Sequence, residues 1–265
     1  MTESHPSLLD PSGSPPWQKA LIFGALAAAA VLVPLNATPT FTTDATQLVA
    51  LTLSFAGLSL LTHQLGLLSL GHGALTGVGA VAGLHAVNDF GLPPSLLPLA
   101  GLVVGCVAGA LIAIPSLRLP KAYLALLTLS LAVAFPIVLR QIDGPLPVTL
   151  NADFLPPAWS GINERDEHIW EFALVLVWTI GAMFVLHRLL RGPIGRAFIA
   201  SRDHPQAAAA FGIPVRRLRL YGVALSGALA GLAGGLTLVS VNFTDAPLYP
   251  EELSIKMFAV AMAFG

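Results

Sequence analysis

Apolar segments long enough to cross a lipid bilayer dominate this sequence. Of its 265 residues, 55% are hydrophobic and only 10% are charged, whereas soluble domains carry about 25% charged residues. A membrane-spanning helix needs about 20 apolar residues. We therefore predict an all-α, polytopic transmembrane helical bundle. Its spans are expected near 18–36, 46–62, 70–88, 95–115, 121–140, 169–188 and 219–240, with an eighth beginning near 256.

The first residues differ from the rest of the chain. Residues 1–16 are polar and rich in proline, and they lack the basic start of a cleavable signal peptide. We predict that 1–16 is a disordered cytoplasmic tail and that 17–265 is a single transmembrane domain.

The distribution of Lys and Arg predicts the orientation. With the N-terminus in the cytoplasm and one crossing per span, ten of the thirteen basic residues face the cytoplasm, in agreement with the positive-inside rule. Seven arginines fall between 188 and 219. We therefore expect 189–218 to be a cytoplasmic loop and 141–168 to be the longest outer loop. The arginines either serve only to fix this topology or belong to a loop with a function of its own.

The cytoplasmic loop contains the pattern of a short helix. Pro205 suits the first turn of a helix, residues 206–211 favour helix, and Gly212 can end it in a left-handed conformation. Pro214 blocks continuation. So short a helix is not stable alone in water. We expect it either to dock on a protein surface or to lie on the lipid headgroups.

Three ordered stretches resemble the inner-membrane permeases of branched-chain amino acid ABC importers, and most closely the second of their two permease subunits. They are "GLLSLGHGALTGVGA" (66–80), "PSLRLPKAYLALLTLSLA" (115–132) and "GRAFIASRDHPQAAAAFGIPVRRLRLYGVALSGALAGLAGGL" (195–236). The resemblance extends over about 46–265. It also implies more chain after Gly265, so we expect the sequence to be truncated at its C-terminus.

The resemblance implies a multi-pass permease subunit of the bacterial inner membrane. A periplasmic binding protein would deliver a branched-chain amino acid or a related small polar solute, such as urea or an amide. A second permease subunit would complete the pathway, and two ATPase subunits would use ATP. The chain has no phosphate-binding loop, and we expect it to bind no cofactor. Membrane lipid is a further expected partner, whereas the net charge of −1 gives no indication of nucleic acid.

The resemblance also implies that the cytoplasmic loop couples to the ATPase. ABC importers carry Glu-Ala-Ala-x-x-x-Gly in this loop, and Gln206 stands here at the position of the acid. Phe211 is the bulky residue of the short helix and the expected anchor. The residues assigned to the coupling loop are Arg196, Arg202, Gln206, Ala207, Ala208, Phe211 and Gly212.

Small and polar residues in 66–80 allow two interpretations. Glycines let membrane helices approach closely, but they can also break a helix where the backbone lines a cavity. Ser69 and His72 would share a face if the helix were intact. They are either packed and hydrogen-bonded or part of a translocation pathway, together with Gly71 and Gly73. A metal site is not expected, because no second ligand lies at helical spacing from His72.

No set of catalytic residues is recognisable, so we expect a transport subunit and not an enzyme. Two alternatives to an importer permease remain open. A proton-coupled secondary transporter is disfavoured, because its spans usually hold acidic residues and these spans hold almost none. A membrane scaffold that transports nothing would have no polar pathway.

Overall fold

A bundle of apolar helices makes up nearly all of the described structure. This computed structural model describes residues 38–117, 121–144, 146–151, 154 and 167–264, so the predicted tail 1–16 and the predicted span 18–36 lie outside the described residues. The elements, in chain order, are α1 (Pro39–Ser59), a π-helix (Leu60–Leu65), α2 (His72–Asn88), a 3₁₀ turn (Pro94–Leu96), α3 (Leu97–Ser116), α4 (Lys121–Ile142), β1 (Val148–Thr149), α5 (Glu167–Arg191), α6 (Pro193–Asp203), α7 (Pro205–Ala210), α8 (Val215–Val241), β2 (Phe243–Thr244), a 3₁₀ turn (Ala246–Leu248) and α9 (Glu251–Phe264).

Five of the described helices are long and apolar enough to cross a membrane. They are Pro39–Leu65, Pro94–Pro115, Tyr123–Ile142, Glu167–Arg191 and Val215–Val241. The predicted spans at 70–88 and from 256 correspond to α2, with 17 residues, and α9, with 14. The all-α, polytopic prediction is confirmed.

Helix α8 is the central helix of the bundle. In its most apolar window 83% of residues are buried, against 28–44% in the other four candidate spans. It packs most extensively against α1, α2 and α3. Helix α5 lies further out and packs mainly on α1. A helix that contacts protein on nearly all sides needs small residues, and α8 supplies them with glycine, alanine and serine between 222 and 235.

Glycines bring the backbones of α3 and α8 into direct contact. A β-carbon at Gly101 would lie 2.5 Å from the carbonyl oxygen of Gly231, and one at Gly109 would lie 2.6 Å from that of Val223. Gly105 and Gly227 face each other in the same way. The spacing of four residues along each helix keeps the glycines on one face. The glycines of α8 lie in the stretch 195–236 that carries the family resemblance, whereas the facing glycines of α3 were not predicted to form a contact.

Several helices extend beyond the predicted apolar windows. Helix α1 begins at Pro39 and passes into a π-helix that ends at Leu65, whereas the prediction was 46–62. Helix α8 begins at Val215 and not at 219, so Arg216 and Arg217, which the prediction placed in the loop 189–218, lie in its first turn. Helix α9 begins at Glu251, five residues earlier than predicted. Hydropathy marks only the segment that suits hydrocarbon, whereas backbone hydrogen bonds continue through polar residues.

A small ribbon joins two connections at the end of the bundle opposite α6 and α7. Strands β1 and β2 are antiparallel, with Val148 opposite Thr244 and Thr149 opposite Phe243. The amide of Asn88, at the end of α2, donates to the carbonyl oxygen of Thr149 at 2.8 Å. This ribbon was not predicted. Most of the predicted outer loop 141–168, including 155–166, lies outside the described residues.

Candidate functional site

The chain between α1 and α2 is not helical, although it lies between two apolar segments. The π-helix ends at Gly66, whose φ is 62°, in the left-handed region that glycine adopts without strain. Residues 67–70 have no helical structure, and α2 begins only at His72. Ser69 and His72 therefore do not share a face of one intact helix, because Ser69 lies before the start of α2. In a membrane protein, non-helical backbone is tolerated where protein buries it or where it lines a cavity.

Side chains from distant helices hydrogen-bond the backbone of this break. The N–H of Leu70 donates to Oγ1 of Thr128 on α4 at 2.9 Å. The N–H of Gly73 donates to Oγ of Ser254 on α9 at 3.0 Å. Both hydroxyl residues are buried, and each is at most 2% exposed. The bonds replace helical hydrogen bonds that the break removes, so α4 and α9 hold the start of α2 in place.

A buried chain of hydrogen bonds runs from the break to α8 and α1 through His72. The Oγ of Ser69 lies 3.2 Å from His72 Nδ1, and His72 Nε2 lies 2.7 Å from Oγ of Ser226. Ser226 in turn donates to the carbonyl oxygen of Gly57 at 2.7 Å. Because a hydroxyl has one proton, Ser226 must accept from Nε2–H. The neutral ring therefore carries its proton on Nε2, and Ser69 donates to Nδ1.

A second branch leaves the break toward a small cavity. Thr76 donates its hydroxyl to the carbonyl oxygen of His72 at 2.8 Å, and Oγ of Ser54 lies 2.9 Å from Oγ1 of Thr76. Thr76 also borders a cavity of about 200 Å³, together with Gln47 and Thr237. The branch therefore reaches from the buried hydroxyls to the few polar residues of a mostly apolar cavity.

The four predicted pathway residues lie together, and all four are buried. Ser69, Gly71, His72 and Gly73 lie at or beside the start of α2, and His72 is 0% exposed. A β-carbon at Gly71 would lie 2.6 Å from the carbonyl oxygen of Thr128. Packing and hydrogen bonding account for each of them in this conformation, and a role in a pathway stays a prediction. Their hydrogen-bond partners were not predicted from the sequence. These partners are hydroxyl residues in otherwise apolar helices, which is the pattern that could have identified them: Ser54, Thr76, Thr128, Ser226 and Ser254.

The short helix of the predicted coupling loop is present as α7. It begins at Pro205, as expected, and ends at Ala210, one residue before the predicted end at Phe211. Gly212 has a φ of 80°. Its N–H bonds to the carbonyl oxygen of Ala209 at 3.0 Å, and that of Ile213 bonds to Ala208 at 3.0 Å. These two bonds form a Schellman motif, so the predicted left-handed end at Gly212 is confirmed.

Most of the predicted coupling residues are exposed on the surface of the chain. Phe211 is 87% exposed, the largest exposed fraction among the large hydrophobic residues described. Gln206, Ala207 and Arg196 are also exposed, whereas Ala208 is buried. An apolar ring left in this position favours a contact with another molecule.

Helix α6 connects the predicted cytoplasmic loop to the π-helix. Phe198, 1% exposed, packs in one cluster with Leu60, Leu61 and Leu65 of the π-helix. The guanidinium of Arg202 donates from Nη1 to the carbonyl oxygen of His63 and from Nε to Asp203 at 2.8 Å. π-helical turns occur frequently at functional sites. The loop thus holds the backbone of the π-helix directly, a connection that sequence reasoning did not detect.

The fold and the site define a multi-pass α-helical membrane protein in which the non-helical connection between α1 and α2 is hydrogen-bonded to distant helices. A family model described as branched-chain amino acid transport system, permease component, matches residues 41–263. The chain belongs to this family of transport permease components, and the resemblance found in the sequence is confirmed.

Individual relatives agree with this assignment. The chain is 30% identical over 231 residues to the high-affinity branched-chain amino acid transport system permease protein LivM of Escherichia coli, covering 78% of this chain and 53% of LivM. It is 28% identical over 203 residues to the probable branched-chain amino acid transport permease protein LivH of Methanocaldococcus jannaschii, covering 71% and 61%. The autoinducer 2 import system permease protein LsrC of Yersinia pestis is 30% identical over 177 residues, covering 64% and 47%.

These matches cover only part of the relatives. The match covers 53% of the length of LivM from Escherichia coli and from Salmonella typhimurium, so the chain spans about half of these relatives. No solved structure matches the chain.

Proposed function

We propose that this chain is the membrane-spanning permease subunit of an ATP-binding-cassette importer for branched-chain amino acids or a related small polar solute. Family membership carries this proposal. The relatives' names support both substrate classes, since LivM is named for branched-chain amino acids and LsrC for autoinducer 2. ATP is hydrolysed by separate ATPase subunits, and this chain binds no cofactor.

The proposed assembly places this chain in the bacterial inner membrane with its N-terminus in the cytoplasm. The distribution of basic residues supports this orientation. A periplasmic binding protein delivers the solute from outside, a second permease subunit completes the pathway, and two ATPase subunits bind the cytoplasmic side. The transmembrane domain is 17–265, and the tail 1–16 lies in the cytoplasm.

The contacts of α6 and α7 indicate how the ATPase could act on the pathway. Phe211 would seat α7 on the ATPase. Movement of α7 would pass to α6, which contacts it directly. Helix α6 would then move the π-helix through Phe198 and through the bond from Arg202 to the His63 carbonyl oxygen. The coupling requires an element with two conformations whose populations ATP binding shifts. The non-helical residues between the π-helix and α2, which have few local hydrogen bonds, are the candidate.

Deleting the gene of the partner ATPase separates this proposal from its alternatives. In cells with the importer, uptake of a radiolabelled branched-chain amino acid should fall to background while this chain stays in the membrane. A secondary transporter would keep its uptake. A scaffold would show no uptake that depends on this chain, with or without the ATPase.

Truncating Phe211 should weaken ATPase association and uptake together. Loss of an interface anchor costs about 2 kcal/mol or more, or about 30-fold in affinity. We therefore expect Phe211→Ala to insert and fold normally but to recover little ATPase on co-purification. Gly212→Val should act similarly, because valine is strained at the φ of 80° that ends α7.

Ile194→Ala is the matched control for Phe211→Ala. Ile194 lies on α6 and is 43% exposed, so its truncation also removes exposed apolar surface from the same loop. It should leave the recovery of the ATPase unchanged. Unchanged recovery with Phe211→Ala would show that α7 lies on the membrane surface and does not dock.

The orientation can be tested with single cysteines in a Cys106→Ala background. Ser201 is unsuitable, because it is 2% exposed and its hydroxyl bonds to the carbonyl oxygen of Phe198. A cysteine at the exposed Gln206 should resist an impermeant thiol reagent in intact cells and react after lysis. A cysteine at Phe90, 78% exposed between α2 and α3, should react in intact cells. The reverse pattern would refute the proposed topology.

A further inference from the structure

An open pocket of about 570 Å³ lies beside α7 at the start of α8, away from the hydrogen bonds around His72. Its lining combines two kinds of side chain. The arginines are Arg216, Arg217 and Arg219, and the apolar residues include Leu117, Ile213 and Pro214. Such a pocket suits a ligand that carries a negative charge next to an apolar part.

The three arginines have no anionic partner among the residues that the structure describes. Arg216 and Arg217 are exposed and Arg219 is half-buried, and the salt bridges of the described residues involve other groups. A guanidinium is always charged and matches the geometry of a phosphate with paired N–H donors. Three such groups within four positions repel one another, so a bound anion would stabilise this end of α8.

An exposed apolar stripe leads away from the pocket along α3. Leu117 lines the pocket, and Ile114, Leu111 and Val107 follow it at helical spacing on the same face. The last three are 55%, 62% and 54% exposed. The exposed face continues through Val103 and Leu99. Its part from Leu117 to Val107 spans about 15 Å at 1.5 Å per residue, which is half the thickness of the hydrocarbon core and the depth that one acyl chain reaches.

We propose that this pocket binds an anionic phospholipid, with its phosphate on Arg216, Arg217 and Arg219 and one acyl chain along the stripe from Leu117 to Val107. An acidic protein surface or free phosphate would satisfy the arginines but would not explain a stripe that runs from them into one leaflet. A zwitterionic lipid would fill the stripe but would leave the net charge of the arginines unbalanced. The proposal does not depend on the transport function of the chain.

The test is a lipid titration of the purified full chain, with whatever subunits accompany it, in neutral detergent. Binding of phosphatidylglycerol and of phosphatidylcholine with identical acyl chains is measured by native mass spectrometry. Wild type should bind phosphatidylglycerol more tightly. Arg216→Gln with Arg217→Gln should bind it about 30-fold more weakly, because two basic contacts are lost. If the double variant is unstable, Arg217→Gln alone serves instead and should bind phosphatidylglycerol about 5-fold more weakly than wild type.

Arg188→Gln with Arg191→Gln is the matched control. It removes the same charge at the same end of the bundle, from exposed positions on α5, and should leave affinity unchanged. Equal losses in both double variants would show non-specific attraction and overturn the proposal. Equal affinity of wild type for the two lipids would also overturn it, as would full displacement of the lipid by inorganic phosphate at the same concentration. Loss of a co-purifying subunit with unchanged lipid affinity would assign the arginines to a protein contact instead.

Discussion

Replacing Gly231 with leucine is expected to prevent folding of the bundle. Gly231 lies where α2, α3 and α8 meet, and a β-carbon there would overlap the carbonyl oxygen of Gly101 and lie 2.8 Å from Cα of Gly105. These are backbone atoms, which cannot rotate away, so the helices would have to separate. Overpacking of a dense interior costs about 1–3 kcal/mol and occasionally more, and we expect this site to reach or exceed the upper value. The measurement is the yield of monodisperse protein in size-exclusion chromatography, with the melting temperature of what remains.

Gly181→Leu makes the same chemical change at a site with room. Gly181 lies within α5, and an added β-carbon would meet no atom of another helix within 4 Å. This variant should keep wild-type yield and melting temperature, which separates the steric effect from the general effect of adding leucine to a membrane helix. Gly231→Ala should lie between wild type and Gly231→Leu. Wild-type behaviour of Gly231→Leu would mean that α3 and α8 do not approach as the structure has them.

Removing the imidazole of His72 is expected to destabilise the core by about 3 kcal/mol, because His72→Ala loses two buried hydrogen bonds and leaves a cavity. The ring is 0% exposed and connects Ser69 of the break to Ser226 of α8. His72→Phe should recover part of the loss, since it fills the volume but leaves the Ser69 hydroxyl without its acceptor. Thermal unfolding of the purified chain measures both effects. His187→Ala, at an exposed position on α5, is the control and should have no effect.

A further variant distinguishes the two interpretations of this cluster. Ser69→Ala keeps the ring and its bond to Ser226 but leaves the buried Nδ1 of His72 without a donor. It should therefore cost at least about 1 kcal/mol, though less than loss of the whole ring. If Ser69 and His72 only pack, uptake by Ser69→Ala should follow its small loss of stability. Uptake that is abolished while the protein stays folded would assign the cluster to the pathway. A melting temperature of His72→Ala equal to that of wild type would refute the structural role of the ring.

Sequence alone determined the features that depend on local chemistry. The apolar windows indicated seven of the described helices or parts of them, because burial in hydrocarbon requires long apolar runs. The residues around Pro205 and Gly212 predicted α7 and its left-handed end, because proline fixes φ and glycine tolerates the left-handed region. These requirements act within a few residues, so they can be recognised without knowing the rest of the fold.

Only the tertiary structure decided where the helix breaks and what holds the break. The predicted spans 46–62 and 70–88 placed a connection at 63–69, but hydropathy reports only transfer into hydrocarbon. It therefore revealed neither the π-helix that continues to Leu65 nor the start of α2 at His72. The partners of the break are Thr128, Ser226 and Ser254, which lie 58, 154 and 181 residues from the groups that they bind. Gly101 and Gly231, which are also in contact, likewise lie far apart in the sequence. A buried polar group requires a hydrogen-bond partner, but that requirement does not specify which helix provides it, and helix packing alone makes the choice.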